Sequence, residues 1–413
     1  MLRTLVPVLG ALSLCAAAPA QEIAKGLFMD GWVDTVFSVV DTPNYVPANT
    51  NFSQADVATD FYAKANLKLG YNVTNRVKTK INVWFHNDPS VKGASNVELR
   101  EAFAAVDLGN NLSWTMGKFI SHMGWISADP TGLYRINGST IGLYDLNRIT
   151  KNDPIGTGLG WTDSSGTFGG TVYAVNGYFR GKDGEVTASI DDGTIQPKND
   201  VGLGADLTFS FGADKASNVN LDFAMDGHSS NPTTVPGVSR KPGYVYLVGL
   251  NTTIKPTGKE SPLTLGGEVT ATTAQYEDTD ETMTKHEDRQ DLCAMLMANY
   301  VLPGDGKWPM SVTGMYQRTE PYFMSKGPSS FTSLGTDPKD GKPYYRNNRV
   351  ATNEVSLALL TNPFGDSKFG LNFEVAHAFV DGGADNPAVY PVSADDPRHG
   401  VTIVSMEALV AIP

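Results

Sequence analysis

Stretches of alternating apolar and polar residues in this chain are joined by connections that are long and short by turns. The pattern places strands near 27-40, 61-73, 76-86, 97-108, 111-119, 155-162, 167-178, 201-211, 217-226, 244-254, 262-275, 290-301, 308-317, 350-361, 368-379 and 399-411, sixteen in all. Short joints are Thr74-Asn75, Gly109-Asn110, Asp163 to Gly166, Gly212 to Ala216, Lys255 to Ser261, Pro303 to Lys307 and Asn362 to Ser367. Long connections occupy 41-60, 87-96, 120-154, 179-200, 227-243, 276-289, 318-349 and 380-398. A soluble sandwich has no reason to alternate so regularly. An outer-membrane barrel does, with short periplasmic turns, long external loops and an even strand number. Strands of about 10 residues also suit a tilted crossing of the hydrocarbon layer. The expected fold class is all-β, a transmembrane up-and-down antiparallel barrel of about 16 strands. On periodicity alone Leu292 to Ala298 and Glu98 to Val106 also fit a helix.

The clearest unit is the pair 61-73 and 76-86. Phe61, Ala63, Ala65, Leu67, Leu69, Tyr71 and Val73 share one parity against Lys64, Asn66, Lys68 and Asn72, which is the period of a strand. After the turn, Val77, Ile81, Val83 and Phe85 oppose Arg76, Lys78, Lys80, Asn82 and His86. The apolar parity stays free of charge elsewhere, as a lipid-facing surface requires because a basic residue at mid-bilayer costs about 2–4 kcal/mol. Glu101 and Lys118 break the parity and fit a rim or a bulge.

Composition narrows the setting. The first residues carry one basic side chain, Arg3, an apolar run from Leu5 to Ala18 and the small-residue sequence Ala18-Pro19-Ala20. That is the form of a secretory signal peptide over 1-20, cut before Gln21. Cys293 would then be the sole cysteine of the mature chain, so no intramolecular disulfide is available. Acidic residues number 44 against 32 basic, which argues against a nucleic-acid partner. No linker or composition shift divides the rest, so 21-413 reads as one barrel.

Leu99-Arg100-Glu101-Ala102-Phe103, then Met116-Gly117-Lys118-Phe119 with Gly124-Trp125-Ile126 and Asp129-Pro130, and later Thr157-Gly158-Leu159-Gly160-Trp161 and Val175-Asn176-Gly177-Tyr178, resemble the β-barrel porins of the OmpL-like type. This resemblance implies an outer-membrane diffusion channel for small hydrophilic solutes and ions. Two departures stand out. Ile126 occupies the place of a family glutamate, and the end, Leu409 to Pro413, lacks the terminal aromatic that serves many outer-membrane proteins as an assembly signal.

The connection 120-154 is the longest, rich in apolar residues, and follows the fifth strand. The arrangement is similar to that of the general porins, which fold a constriction loop inward from this position. Its apolar residues would then pack on the inner wall, leaving Asp129, Arg135, Asp145, Arg148, Lys151 and Asp153 at the pore constriction. The other reading has the loop capping the barrel from outside. Inward parity gives a basic wall of Lys64, Lys68, Arg76, Lys78, Lys80 and Arg100, with Glu98 its only acid. The rest of the inward set is acidic, with Asp206, Asp222, Glu268, Glu354, Glu374 and Glu407 foremost. Segregated charge would put a transverse field across the lumen; alternatively, the lumen charges pair.

No spacing of His86, His122, His228, His286, His377 and His399 puts two on one face, and no HExxH, GxSxG, P-loop or CxxC occurs. The chain therefore carries no catalytic constellation, and neither a metal nor a cofactor is expected. The acidic run 277-291 reads as a solvated external loop or as a divalent-cation bridge to lipopolysaccharide. Expected partners are outer-membrane lipid and lipopolysaccharide, small hydrophilic solutes, and two further copies in a homotrimer. The alternative function is an adhesin or surface-layer anchor acting through the long loops, and a soluble secreted β protein is a third reading.

Overall fold

The computed structural model describes residues 21–41, 57–87, 97–120, 123–125, 133–136, 154–178, 201–228, 240–241, 243–274, 277–278, 289–304, 308–320, 331–336, 343–347, 351–364, 368–380 and 400–412. Sixteen antiparallel strands close into a barrel: β1 (Leu27–Asp41), β2 (Val57–Asn72), β3 (Val77–Asn87), β4 (Val97–Gly109), β5 (Leu112–Lys118), β6 (Ile155–Thr162), β7 (Phe168–Val175), β8 (Gly202–Phe211), β9 (Ser217–His228), β10 (Gly243–Ile254), β11 (Leu263–Ala274), β12 (Arg289–Val301), β13 (Met310–Glu320), β14 (Thr352–Thr361), β15 (Phe369–Val380) and β16 (Gly400–Ile412). Each strand pairs with its sequence neighbours, and β1 pairs with β16 from Gly31 opposite Ile412 to Asp41 opposite Thr402, which shuts the ring. The stretches that fit a helical period, Leu292 to Ala298 and Glu98 to Val106, lie in β12 and β4, where partners on both sides take their backbone groups. Non-local pairing overrides local period here.

The expected strand positions match closely; the largest shift is in β2, which starts at Val57 rather than at 61. Three features escaped the pattern. A short strand, Gln21–Ala24, folds back on the start of β1 and follows the same edge as β16. The long connection before β14 holds a hairpin, Phe331–Thr336 with Pro343–Asn347. Arg240–Lys241 pairs with Glu277–Asp278, so two long connections meet, with the first acids of the 277-291 run in register with a basic dipeptide.

Short joints show why the strands turn where they do. Asn110 and Asn111 both take positive φ, 52° and 61°, the geometry of a two-residue type I′ hairpin that Asn tolerates. At Asp163 the carboxylate accepts from the Ser165 hydroxyl and from the N–H groups of Thr167 and Phe168. The Ser165 hydroxyl first, and then those backbone donors, hold it below the usual carboxylate range.

The two faces differ sharply. Outward positions are exposed and apolar: Leu203, Leu207, Leu221, Val248, Leu250, Val269, Leu296, Leu357 and Val375 stand on β8–β12, β14 and β15. Exposed aromatics gather at both ends, Tyr71, Trp161, Phe168, Tyr300 and Trp308 near the short joints and Phe61, Phe85 and Tyr316 near the long ones. Inward positions hold Asp34, Asn66, Asn82, Asp206, Asp222, Glu268, Asn299, Glu354, Glu374 and Glu407, all buried. The chain is inside out relative to a soluble protein, and its apolar core sits within the lumen.

One irregularity sets the charge of the inner wall. Asn82 pairs with Glu101 and Val83 with Leu99, so a bulge puts two residues of β4 against one of β3. Arg100 and Glu101 therefore both turn inward, Arg100 onto the Trp84 ring and Glu101 onto Lys80. The parity break at Glu101 is this bulge. Glu98 is consequently not the only acid on that wall. Lys118, the other exception, stays on the outward parity at the long-joint end of β5, where its ammonium donates to the Leu99 carbonyl at 2.5 Å.

Candidate functional site

The long connection between β5 and β6 enters the lumen. Its base is closed by the Phe119 N–H, which donates to the Pro154 carbonyl at 3.1 Å. Phe119 then stacks on Tyr173 of β7 with ring centroids 5.6 Å apart. Next, the Gly124 N–H donates to Asp222 of β9 at 2.9 Å and the Trp125 N–H to Glu268 of β11 at 2.7 Å. The Trp125 indole N–H donates to Thr253 of β10 at 2.9 Å, and Tyr134 stacks on the indole at 5.5 Å. Burial pushes the Tyr134 hydroxyl up to about 12, so it remains a protonated partner for Thr264.

The far end of the described segment is fixed by charge. Arg135 donates from Nη1 to Glu354 of β14 at 2.6 Å and from Nη2 to Glu374 of β15 at 2.5 Å, while the Ile136 N–H reaches the second Glu374 oxygen at 2.6 Å. In a ring of sixteen strands β14 is eight from β6, so the loop crosses to the opposite side of the barrel. These side chains are closed to water, 2% exposed for Arg135 and 0% for both glutamates. Such a pair is worth having only because every charge is answered; an unanswered buried charge would cost several kcal/mol.

Packing completes the seat. Phe119, Met123, Trp125 and Tyr134 cluster with Tyr173, Val175, Tyr178, Ala224, Leu247 and three wall methionines, Met295, Met297 and Met315. Glycine makes the recess: a Cβ at Gly266 would lie 2.4 Å from the Trp125 ring, and the face of Gly204 is filled by Tyr178 and Met123.

The constriction candidates divide. Arg135 is buried as an anchor on the wall. Asp129, Asp145, Arg148, Lys151 and Asp153 lie outside the described residues. The acidic candidates Asp206, Asp222, Glu268, Glu354, Glu374 and Glu407 all face inward and are buried. Four of them hold the loop, as above; Asp206 accepts from the Tyr173 hydroxyl at 3.1 Å and Glu407 from the Asn372 amide at 2.6 Å. Of the basic candidates, Lys64, Lys68, Lys80 and Arg100 line the inner face of β2–β4, whereas Arg76 is exposed in the turn and Lys78 is exposed at the start of β3. The wall cations have acids beside them: Lys68 with Asp30 at 3.7 Å, Lys80 with Glu101 at 2.7 Å, Arg100 with Glu98 at 3.2 Å, and Lys64 next to Asp34.

Sequence reasoning missed Trp125, Gly124 and Gly266 as individual contributors. The pair Gly266-Gly267 within a strand was an available signal, since glycine there marks a close approach. Among the described residues no group of three or more His, Cys, Asp or Glu side chains is arranged to hold a metal ion.

No protein-family model matches the chain, and no curated protein matches it by sequence. Solved structures do match. Pseudomonas putida OprB, in a high-pH structure, superposes with a TM-score of 0.60 at 9% identity over 94% of each chain. An anion-selective porin from Comamonas acidovorans follows at 0.54 and 13%, over 94% of this chain and 99% of that one. The outer membrane channel DcaP of Acinetobacter baumannii gives 0.52 and 13%, over 95% and 99%. At these identities the likeness concerns architecture, and it extends along nearly the whole chain: the fold is the sixteen-strand barrel of outer-membrane porins.

Proposed function

We propose that the chain is an outer-membrane diffusion channel for small hydrophilic solutes, in which residues 1-20 are removed as a signal peptide and the long connections face outside. The observation that carries this reading is the closed barrel with an apolar exterior, a charged interior and a loop tied across its lumen by Arg135. A loop so tied narrows a ring that would otherwise be wide enough for an aqueous channel. The structural neighbours include proteins named as a porin and an outer membrane channel, and the OmpL-like motifs agree. Three copies would assemble as a homotrimer in lipid and lipopolysaccharide.

Purified protein in planar bilayers tests this directly. Discrete, voltage-tolerant conductance steps are expected, together with heat-modifiable mobility on gels; silent bilayers at all voltages would sink the channel reading. The outward face gives a second check. Leu357, 59% exposed near the middle of β14, should meet hydrocarbon, so Leu357→Arg should destabilise the barrel in lipid vesicles by about 2–4 kcal/mol. An unchanged denaturant midpoint would argue that this face does not contact lipid.

The wall charges predict selectivity. The double variant Lys68→Glu, Lys80→Glu reverses two cations that stand beside Asp30 and Glu101, so the reversal potential in a salt gradient should move toward cation preference. No movement would mean that permeating ions do not sense β2 and β3.

A further inference from the structure

Sulfur gathers at one place on the inner wall. Along β12 the inward positions Cys293, Met295 and Met297 follow one another, while Leu296 between the two methionines faces outward. Met315 of β13 stands directly opposite Met297 in the register, and all four sulfur side chains are buried. The chain holds 12 methionines and 2 cysteines among 413 residues, so three successive sulfur positions on one face of one strand stand well above background.

Filling the recess under the loop does not require sulfur. Val175, Ala224 and Leu247 line other parts of the same cluster, and leucine replaces methionine in a core at little cost. What a thioether adds is a soft, polarizable lone pair. Residues facing each other in an antiparallel pair have Cβ atoms about 4.5–5.5 Å apart, and alternate residues of a strand stand about 6.8 Å apart. The long side chains of Met295, Met297 and Met315 can therefore turn their sulfurs to a common point.

The surroundings select for charge and hardness. Thioethers are neutral and leave a bound ion its whole charge; Glu268 lies opposite Met295 on β11, which suits a single positive charge. Arg135 Nη1 comes within 4.0 Å of the Met315 sulfur, but its charge is answered by Glu354 and Glu374. Among the described residues His, Cys, Asp and Glu side chains do not converge in threes, so the hard and borderline ions that need them find no seat there. Soft sulfur donors select Cu(I).

We propose that Met295, Met297 and Met315 form a thioether site for a soft monovalent metal ion of the Cu(I) class, set in the inner wall beneath the loop. Coordination transfers no electron and releases no proton, because each thioether already carries its lone pair. The site goes beyond the channel reading and does not need conduction.

Silver(I) is the probe, since it shares the donor preference of Cu(I) and needs no reductant. Full-length protein in detergent and chloride-free buffer, with isotope-labelled methionine methyl groups, is titrated with silver nitrate and followed by calorimetry and methyl NMR. One ion per chain should bind and move three methyl signals together, whereas magnesium nitrate should move none. Met295→Leu, Met297→Leu and Met315→Leu should each weaken Ag(I) by at least about tenfold, the lower end of what the outer-shell partners of a metal are worth, while heat-modifiable mobility shows that each variant folds. Met116→Leu on the outward face and Cys293→Ser should leave the affinity unchanged. Binding lost in Cys293→Ser but kept in all three Met→Leu variants would assign the silver to the thiol and overturn the thioether site. No binding by the wild type would overturn it as well. Conductance without Ag(I) binding removes the site and leaves the channel; Ag(I) binding as described without conductance supports the site and removes the channel.

Discussion

Arg135→Ala is expected to widen the channel, read as a rise in single-channel conductance together with new protease cleavage inside 120-154. The guanidinium is the only cation among the described partners of Glu354 and Glu374, which are fully buried on β14 and β15. Removing one member of a buried ion pair costs about 3–5 kcal/mol, because the carboxylates left behind stay desolvated and lose the guanidinium that bridges them. The barrel wall has its own backbone ladder and does not need Arg135, so the loss should be taken up by the loop leaving its seat. The triple variant Arg135→Met, Glu354→Gln, Glu374→Gln removes the charges together and should restore much of the wild-type conductance. Conductance unchanged in Arg135→Ala would show that the contact does not hold the constriction.

Trp125→Ala is expected to loosen the same loop at its middle. Truncating a buried tryptophan costs about 3–5 kcal/mol, and the indole also donates to Thr253 and stacks on Tyr134. Gly266→Ala attacks the site from the wall: its new Cβ would lie 2.4 Å from the ring, too close for the indole to keep its place. The two variants should produce similar red shifts of tryptophan emission or, for Trp125→Ala, loss of the buried component, with matching increases in conductance. Wild-type emission and conductance in Gly266→Ala would contradict the seating of Trp125 on that strand.

Much of the architecture could be read from the residues because a barrel wall writes its period on every strand. Phe369, Leu371, Phe373 and Val375 against Asn372 and Glu374 is such a case, and both faces appear as expected. What remained hidden depends on cross-strand register, which a single strand does not encode. Glu101 looked like an error in alternation until its pairing with Asn82 showed the bulge. The same holds for charge: Lys68 and Lys80 stand out in their strands, but the acids beside them, Asp30 and Glu101, lie on strands across the register. Arg135 read as a group at the pore constriction because its partners are more than two hundred residues away. Trp125 was visible as an apolar loop residue; its hydrogen bonds to Glu268 and Thr253 were not.

The seam between β1 and β16 bears on how the molecule is made. Gly31 meets Ile412 across almost the whole length of the chain, so the first barrel strand waits for the last. Until then, both bear unpaired edges, the template on which strands aggregate. Contacts of such long range make folding slow. An assembly intermediate should therefore be an open sheet with β1 and β16 as its two free margins, and a chain stalled before β16 would offer β1 to a strand of another molecule.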